Sequence, residues 1–372
     1  MNNAYNSQSF WEREELSADW DLLIVGAGIV GSSIALFYKE KNPEAEVAIL
    51  ERGFHPYGAS TRNAGFSCIG SMSEHLADFG LAGKNTVLNR IERRWNGLQL
   101  LRATLTDEES GYEHTGGIEI FTRNDLFERC AGSIGEMNRL VYEKTGLKDV
   151  YSVTEYRGYK AITNRVEGAL NSGRMMKSIH RRLSKAGVTI FWNSEVIKTS
   201  EHGVQLKDGY YIKAKNVVVA ANGFTKSLAD VPVKPARGLI FITKPLKKLG
   251  WKGTFNYNEG YVYFRNIGNR LLMGGARDIA RDEETTHHFG VNPKIHDYLV
   301  QFTNEVVRLE AGWEIEMEWS GIMGMTPNKE PVIEKTDSGV FVAAGLSGMG
   351  VAIGMQVAKD MVQILENSTE GA

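Results

Sequence analysis

Two cysteines, Cys68 and Cys130, in 372 residues are too few for a disulfide framework or a cysteine-rich metal centre. No run approaches eighteen consecutive apolar residues, so no membrane span is expected. Charge of either sign is nearly balanced, with 43 Lys and Arg against 45 Asp and Glu. The resulting net charge of −2 excludes a nucleic-acid binder that works by bulk electrostatics. The basic clusters Arg90–Arg94 and Lys177–Lys185 are therefore read as solvated helix faces. The first twenty residues lack the basic and apolar regions of a secretory signal, which with the scarce cysteines places the expected location in the cytoplasm. Trp11 and Trp20 are expected to pin this polar leader to the body of the protein. No metal site is expected; the neighbouring His287 and His288 are read as a surface loop, because adjacent side chains point different ways.

What is present is a large share of ordinary apolar residues, 42%, in a chain long enough for two domains. Its most specific stretch runs from Asp21 to Glu51. Leu22 to Val25 suit a buried parallel strand, and Gly26, Gly28 and Gly31 follow with G-x-G-x-x-G spacing. The first glycine permits a tight turn, the second lets backbone approach a pyrophosphate, and the third lets a helix lie close on the strand. That helix, from about Ile29 to Lys41, aims the N-terminal amides of Ile29 and Val30 at the pyrophosphate. Val47 to Leu50 form the next strand, and Glu51 lies about 20 residues beyond Gly31, where a carboxylate meets a ribose 2′-hydroxyl. With 40 glycines in the chain the spacing alone is weak, and the flanking strand, helix, strand and acid make it specific. Glu51 disfavours a 2′-phosphorylated cofactor, although Arg52 beside it keeps that form open.

Ser60, Thr61, Arg62, Asn63, Ala64, Gly65 and Phe66 follow, with Cys68 just beyond. This small, polar stretch has two readings: it threads along a polar cofactor, or its hydroxyls cap the next helix. A G-x-G-x-x-G opening, an acid-Arg pair and an ASTRNAG segment together resemble the FAD-dependent D-amino-acid oxidase family, which includes glycine and sarcosine oxidases. The resemblance implies FAD, held noncovalently, with Ser60 to Phe66 wrapping its pyrophosphate and reaching the flavin ring. It also implies that Val196 lies near the adenine and Ala221-Asn222-Gly223 near the pyrophosphate.

Toward the C-terminus, Trp319 to Ile333 and Gly339 to Gly354 match the same family. Val340 to Ala344 read as a buried strand, Gly345 to Gly350 as a glycine turn and Val351 to Leu365 as a helix. Gly324, Gly345, Ser347, Gly348, Met349, Gly350 and Val351 are the expected flavin-side residues. Where relatives that oxidise α-amino acids carry a carboxylate-clamping arginine, this chain has Met323. Where sarcosine oxidases carry a flavin-linked cysteine and a substrate lysine, it has Gly321 and Ala352. Arg265, Arg237 or Arg62 is then expected to supply any clamp. Tyr263 and Arg265 share one face of a strand over Gly260 to Arg265, directed either into a cavity or to solvent. Tyr263 and Arg265 are the expected substrate contacts, with Met323 and Cys68 lining the flavin side.

The expected fold is α/β, a Rossmann-like FAD-binding domain with an inserted substrate domain on a mixed β-sheet. The expected bounds are 1–84, 150–233 and 316–372 for the FAD-binding domain, and 85–149 and 234–315 for the substrate domain. Helices are expected over Asn85 to Leu105 and Leu126 to Thr145, and an Asp208-Gly209 hairpin turn between strands. The implied reaction is oxidation of a small amine or amino-acid-like substrate at a C–N bond by hydride transfer to flavin N5. Oxidation of a 2-hydroxy acid and a non-catalytic flavin-binding partner protein are the alternatives. The electron acceptor, oxygen or a quinone or other carrier, is not specified by any motif.

Overall fold

A computed structural model describes residues 9–11 and 20–369 of the chain. The apolar run near residue 22 becomes the strand Trp20–Val25, the centre of an eight-stranded sheet. Its main path runs Val332–Lys335, Phe341–Ala344, Tyr211–Val219, Trp20–Val25, Val47–Leu50, Thr189–Phe191. The last five of these are mutually parallel, and Val332–Lys335 closes the edge antiparallel. Val196–Ser200 and Gly203–Leu206 extend Tyr211–Val219 through the hairpin that turns at Asp208-Gly209.

The two-residue alternation of a strand decides which side chain enters which core. Leu22 and Ile24 face a helical layer built from Ile29–Lys41, Lys84–Thr104 and Gly350–Thr369, whereas Leu23 and Val25 face a smaller core with Val204, Val217 and Val231. Parallel strands buried on both faces need continuous apolar runs, and these supply them.

A second eight-stranded sheet runs Ile315–Met325, Lys234–Thr243, Arg270–Gly275, Val262–Ile267, Thr254–Tyr257, Gly117–Phe121, Tyr159–Asn164, Tyr151–Tyr156. All its pairings are antiparallel except Thr254–Tyr257 on Gly117–Phe121, so it is mixed. The sheets do not follow the expected domain bounds. Residues 151–164 and the strand Ile315–Met325 both hydrogen-bond into the second sheet, although all of them except Ile315 fall in segments expected for the first domain.

Three local expectations need correction. Leu126 to Thr145 is two helices, Asn124–Gly132 and Ile134–Thr145, broken at Gly132-Ser133. Arg90 and Arg94 are not solvated: they lie on the buried face of Lys84–Thr104 with Val87, Ile91 and Leu98. Arg90 pairs with Asp78 at 3.1 Å and Glu330 at 2.6 Å, and Arg94 with Glu74 at 2.8 Å. Trp20 is buried against Phe191, but Trp11 is 70% exposed, so burial does not pin it. The residues between them lie outside the described ones. Among the described residues no helix is long and apolar enough to cross a membrane.

Candidate functional site

The strand Trp20–Val25 ends in a turn that only small residues fit. Gly26 has φ +110°, and a Cβ there would lie 2.8 Å from the Ala220 carbonyl oxygen. A Cβ on Gly31 would lie 2.0 Å from the Gly26 carbonyl oxygen, so the third glycine sets how closely helix Ile29–Lys41 packs. Gly28 is that helix's N-cap and has no side chain to satisfy the first amides. Ser60 supplies the missing cap: its Oγ accepts from Ile29 N at 2.9 Å across 31 residues. Glu51 closes the turn, its Oε2 accepting from Ala27 N and its Oε1 from Gly53 N, each at 3.0 Å. Each oxygen keeps a lone pair for a further donor.

This turn opens onto a cavity of about 460 Å³, within the usual size range of cofactor and ligand sites. Gly26, Gly28, Ile29, Val30, Glu51, Arg52 and Ser60 line one end. Val196, Ala221 and Asn222 line the same wall, with the Arg52 guanidinium 3.7 Å above the Phe224 ring. Arg62, Asn63, Ala64, Phe66 and Cys68 lead along the middle. Met323, Ser347, Gly348, Met349, Gly350 and Val351 face them. Burial pushes the Cys68 thiol well above its usual range, with Glu167 adding to the effect.

The segment Ser60–Phe66 is fixed by bonds to its own backbone. Asn63 donates to the carbonyls of Ala59 and Ser60 and accepts from Gly65 N and Ser172 Oγ. Trp319 Nε1 donates to the Arg62 carbonyl, and Arg62 donates to that of Ser320. The helix-capping alternative is resolved in part: Ser60 caps the preceding helix, and the next one, Met72–Ala82, takes Ser71. Asn222 ties the C-terminal glycine turn to the opposite wall by accepting from Gly345 N at 3.2 Å and Leu346 N at 3.4 Å.

Gly31, Thr61, Gly65, Gly223, Gly324 and Gly345 lie behind the wall. The smallness of the glycines serves packing; a Cβ on Gly223 would meet the Met323 carbonyl oxygen at 2.5 Å, and one on Gly345 the Thr326 side chain at 2.5 Å.

Two expected substrate contacts are elsewhere. Arg265 is buried and spends its Nη1 on the carbonyls of Ala64, Gly65 and Leu170, at 3.3, 3.0 and 2.9 Å, so it braces the middle segment from behind. Arg237 is bidentate on the buried Glu284. Neither lines the cavity. Tyr263 does line it, its ring edge-on to Phe66 at 5.6 Å and its hydroxyl pushed up to about 12 by burial. A Cβ on Gly274 would lie 2.7 Å from that ring, so the glycine makes room for it.

Beside Tyr263 the cavity is lined by residues the sequence did not single out, Asn256, Glu259, Tyr261 and Arg277. Arg277 follows strand Arg270–Gly275 through Ala276, which takes a left-handed φ of 56°. Ala276 N donates to the Tyr261 carbonyl at 2.6 Å, which holds Arg277 beside the start of the neighbouring strand. The Arg277 guanidinium is half-buried and makes no hydrogen bond or ion pair with any described residue. Burial first, and the nearby Arg281 second, lower its pKa. The only signal in the sequence was an arginine just past a Gly274-Gly275 strand end. Among the described residues no group of three or more His, Cys, Asp or Glu side chains is placed to hold a metal ion.

The fit to a dinucleotide is structural: a glycine turn, the N-termini of two helices, and a carboxylate with free lone pairs surround one cavity. The comparisons agree. The family model described as DAO, FAD dependent oxidoreductase, matches residues 21–364. The probable oxidoreductase OrdL of Haemophilus influenzae is 24% identical, covering 90% of this chain and 80% of that protein. L-proline dehydrogenase from P. horikoshii superposes with a TM-score of 0.72 at 16% identity, covering 94% of each chain. Glycine oxidase from Geobacillus kaustophilus gives 0.71 at 20% identity, covering 93% of this chain and 95% of that one.

Proposed function

The chain belongs to the family of FAD-dependent oxidoreductases matched over residues 21–364, and from that premise we propose that it oxidises a C–N bond in a small amine that carries an anionic group. The observation that carries the reading is Arg277, a half-buried cation on the cavity wall with no acid bonded to it. An unpaired guanidinium in a desolvated cleft is costly unless a ligand completes it, and its planar fork suits a carboxylate. This would replace the clamp that Met323 lacks, from the end of a strand two places along the same sheet. The amino-acid substrates in the names of the glycine oxidase and L-proline dehydrogenase support the same class.

FAD, once bound, supplies the hydride acceptor at flavin N5. The residues present do the rest. Arg277 fixes the anionic end of the substrate, and the Tyr263 hydroxyl, which has no partner among the described residues, offers a donor beside it. Met323 and Phe66 present apolar walls that exclude water where the transfer occurs. Gly350 and Val351 open helix Gly350–Thr369 on the cavity wall, ahead of the Ala352 and Ile353 amides that the Met349 carbonyl takes, and this helix start favours developing negative charge. Gly321 stands where a flavin-linking cysteine would be, and the attachment is noncovalent. A cytoplasmic setting suits the two free cysteines.

The test is product chemistry. Anaerobic turnover of the FAD-loaded protein is expected to release ammonia or a smaller amine in proportion to the flavin reduced. Release of a keto acid from a 2-hydroxy acid, with no nitrogen product from any amine, would overturn the reading.

A further inference from the structure

Behind the cavity, under helix Met72–Ala82, lies a second void of about 10 Å³, at the lower limit of what one water occupies. Two buried acids line it, Glu119 from strand Gly117–Phe121 and Glu167 from the turn after Tyr159–Asn164. Ser71 and Asn256 line both this void and the main cavity, so they form the partition between them. Glu119 accepts from Ser73 N at 3.2 Å and from the Ser73 hydroxyl, and the Ser71 hydroxyl sits beside the same carboxyl. Glu167 accepts from Ile69 N, Gly70 N and Asn164 Nδ2 at 3.0, 3.1 and 3.0 Å. Among the described residues neither acid has an ion-paired base; the nearby Arg94 is committed to Glu74.

We propose that Glu119 is the proton acceptor serving the substrate site, reached from the main cavity through the Ser71 hydroxyl and the void it shares with Glu167. The inference rests on amine oxidation being the reaction. An amine arrives as an ammonium ion, which has no lone pair to drive hydride departure from the adjacent carbon. One N–H bond of the ammonium breaks and its proton goes to Ser71 Oγ. The Ser71 proton passes to a Glu119 oxygen, where an O–H bond forms, and the electron pair stays on nitrogen. Glu119 acts through Ser71 and is a positioning residue for the proton, without touching substrate.

Its surroundings suit that task. Burial pushes Glu119 up to about 7, with Ser73 and Ser71 pulling it back and Glu74 raising it further. Burial likewise holds Glu167 at about 8. The other titratable groups packed around Glu119 are Glu74 and His75 on the helix above, Cys130 on helix Asn124–Gly132, Tyr151 across the void, and Glu259 in the turn whose amide bonds Ser73. His75, held at about 4 by burial, is neutral at working pH, and Glu74 is neutralised by Arg94. An acceptor near neutrality is best placed to take a proton and release it again.

The experiment uses the full FAD-loaded chain as wild type, Glu119→Gln and Ser71→Ala. Before any substrate is added, infrared difference spectra between acid and alkaline pH should show a wild-type carboxyl band titrating near 7 that is missing from Glu119→Gln. With an amine substrate, the rate of flavin reduction should rise with pH through about 7 in wild type, because only the carboxylate accepts a proton. Both variants should lose that limb and fall about 100-fold, with unfolding temperatures confirming that each is folded. A limb that survives in Glu119→Gln and Ser71→Ala at the same midpoint, or a band that survives Glu119→Gln, overturns the relay. Failure of every amine to reduce the wild-type flavin overturns the reaction itself, an outcome distinct from a relay that fails while amines still react.

Discussion

Arg237 donates two hydrogen bonds, of 2.9 and 2.8 Å, to the fully buried carboxylate of Glu284. That bidentate pair takes one plausible substrate clamp out of the site and makes it part of the scaffold. Replacing Arg237 by Met leaves Glu284 buried with only Asn292 as a side-chain donor among the described residues, and should destabilise the fold by about 3–5 kcal/mol. Denaturant unfolding should show this loss, with substrate affinity of the remaining folded protein unchanged.

Arg277→Met should behave in the opposite way. No bond of the fold is lost with its guanidinium and an unpaired charge is removed, so the unliganded protein should be no less stable than wild type. The apparent affinity for an anionic amine should fall roughly 10- to 150-fold, the loss of a charge-assisted hydrogen bond of about 1.5–3 kcal/mol. The same amine without its anionic group should bind wild type and variant equally, as measured by stopped-flow flavin reduction.

Cofactor affinity should depend on Glu51 through its shape. Both oxygens accept backbone amides, so Glu51→Gln sets an amide NH2 against either Ala27 N or Gly53 N. A misplaced donor costs about 1–3 kcal/mol, and the FAD dissociation constant, from quenching of flavin fluorescence, should rise about 5- to 150-fold.

Stability should peak in mildly acidic solution. Glu74 has its pKa lowered from 4.5 to about 2, burial opposing and Arg94 prevailing. Its contribution is therefore present above 4.5 and lost as pH falls toward 2, up to about 3 kcal/mol. Glu119 and Glu167 are raised from 4.5 to about 7 and about 8, so their contribution is present below 4.5 and lost as pH rises through those values. Unfolding free energy measured against pH should be greatest near 4.5 and fall from there as pH rises toward about 7 and about 8. Glu167→Gln should flatten the alkaline side and leave the acid side in place.

The parts of the site that rest on local geometry were legible in the sequence. The roles of Gly26 and Gly31 follow from a turn and a close helix contact, both written within a dozen residues. Glu51 follows from its distance to them. The roles of the arginines were not legible, because they depend on partners far along the chain. Arg265 reaches back 200 residues to the Gly65 carbonyl, and Arg90 reaches forward 240 to Glu330. Strand alternation placed Tyr263 and Arg265 on one face, but only the fold shows that one side chain meets a cavity and the other meets backbone carbonyls. Arg277 lies two residues past a glycine-rich strand end, and its lack of a partner among the described residues exists only in three dimensions. The sheet assignment of Ile315–Met325 was obscured because part of its motif lines the cavity while its hydrogen bonds join the other sheet.

The central claim, a noncovalent FAD enzyme that oxidises amines, is tested most directly by anaerobic spectroscopy of the purified protein. Flavin absorbance bands should be present, should leave with the supernatant on acid precipitation, and should bleach when an anionic amine is added, before any electron acceptor. A protein with no flavin bands, or flavin bands that a matched 2-hydroxy acid bleaches while the amine leaves them unchanged, would contradict it.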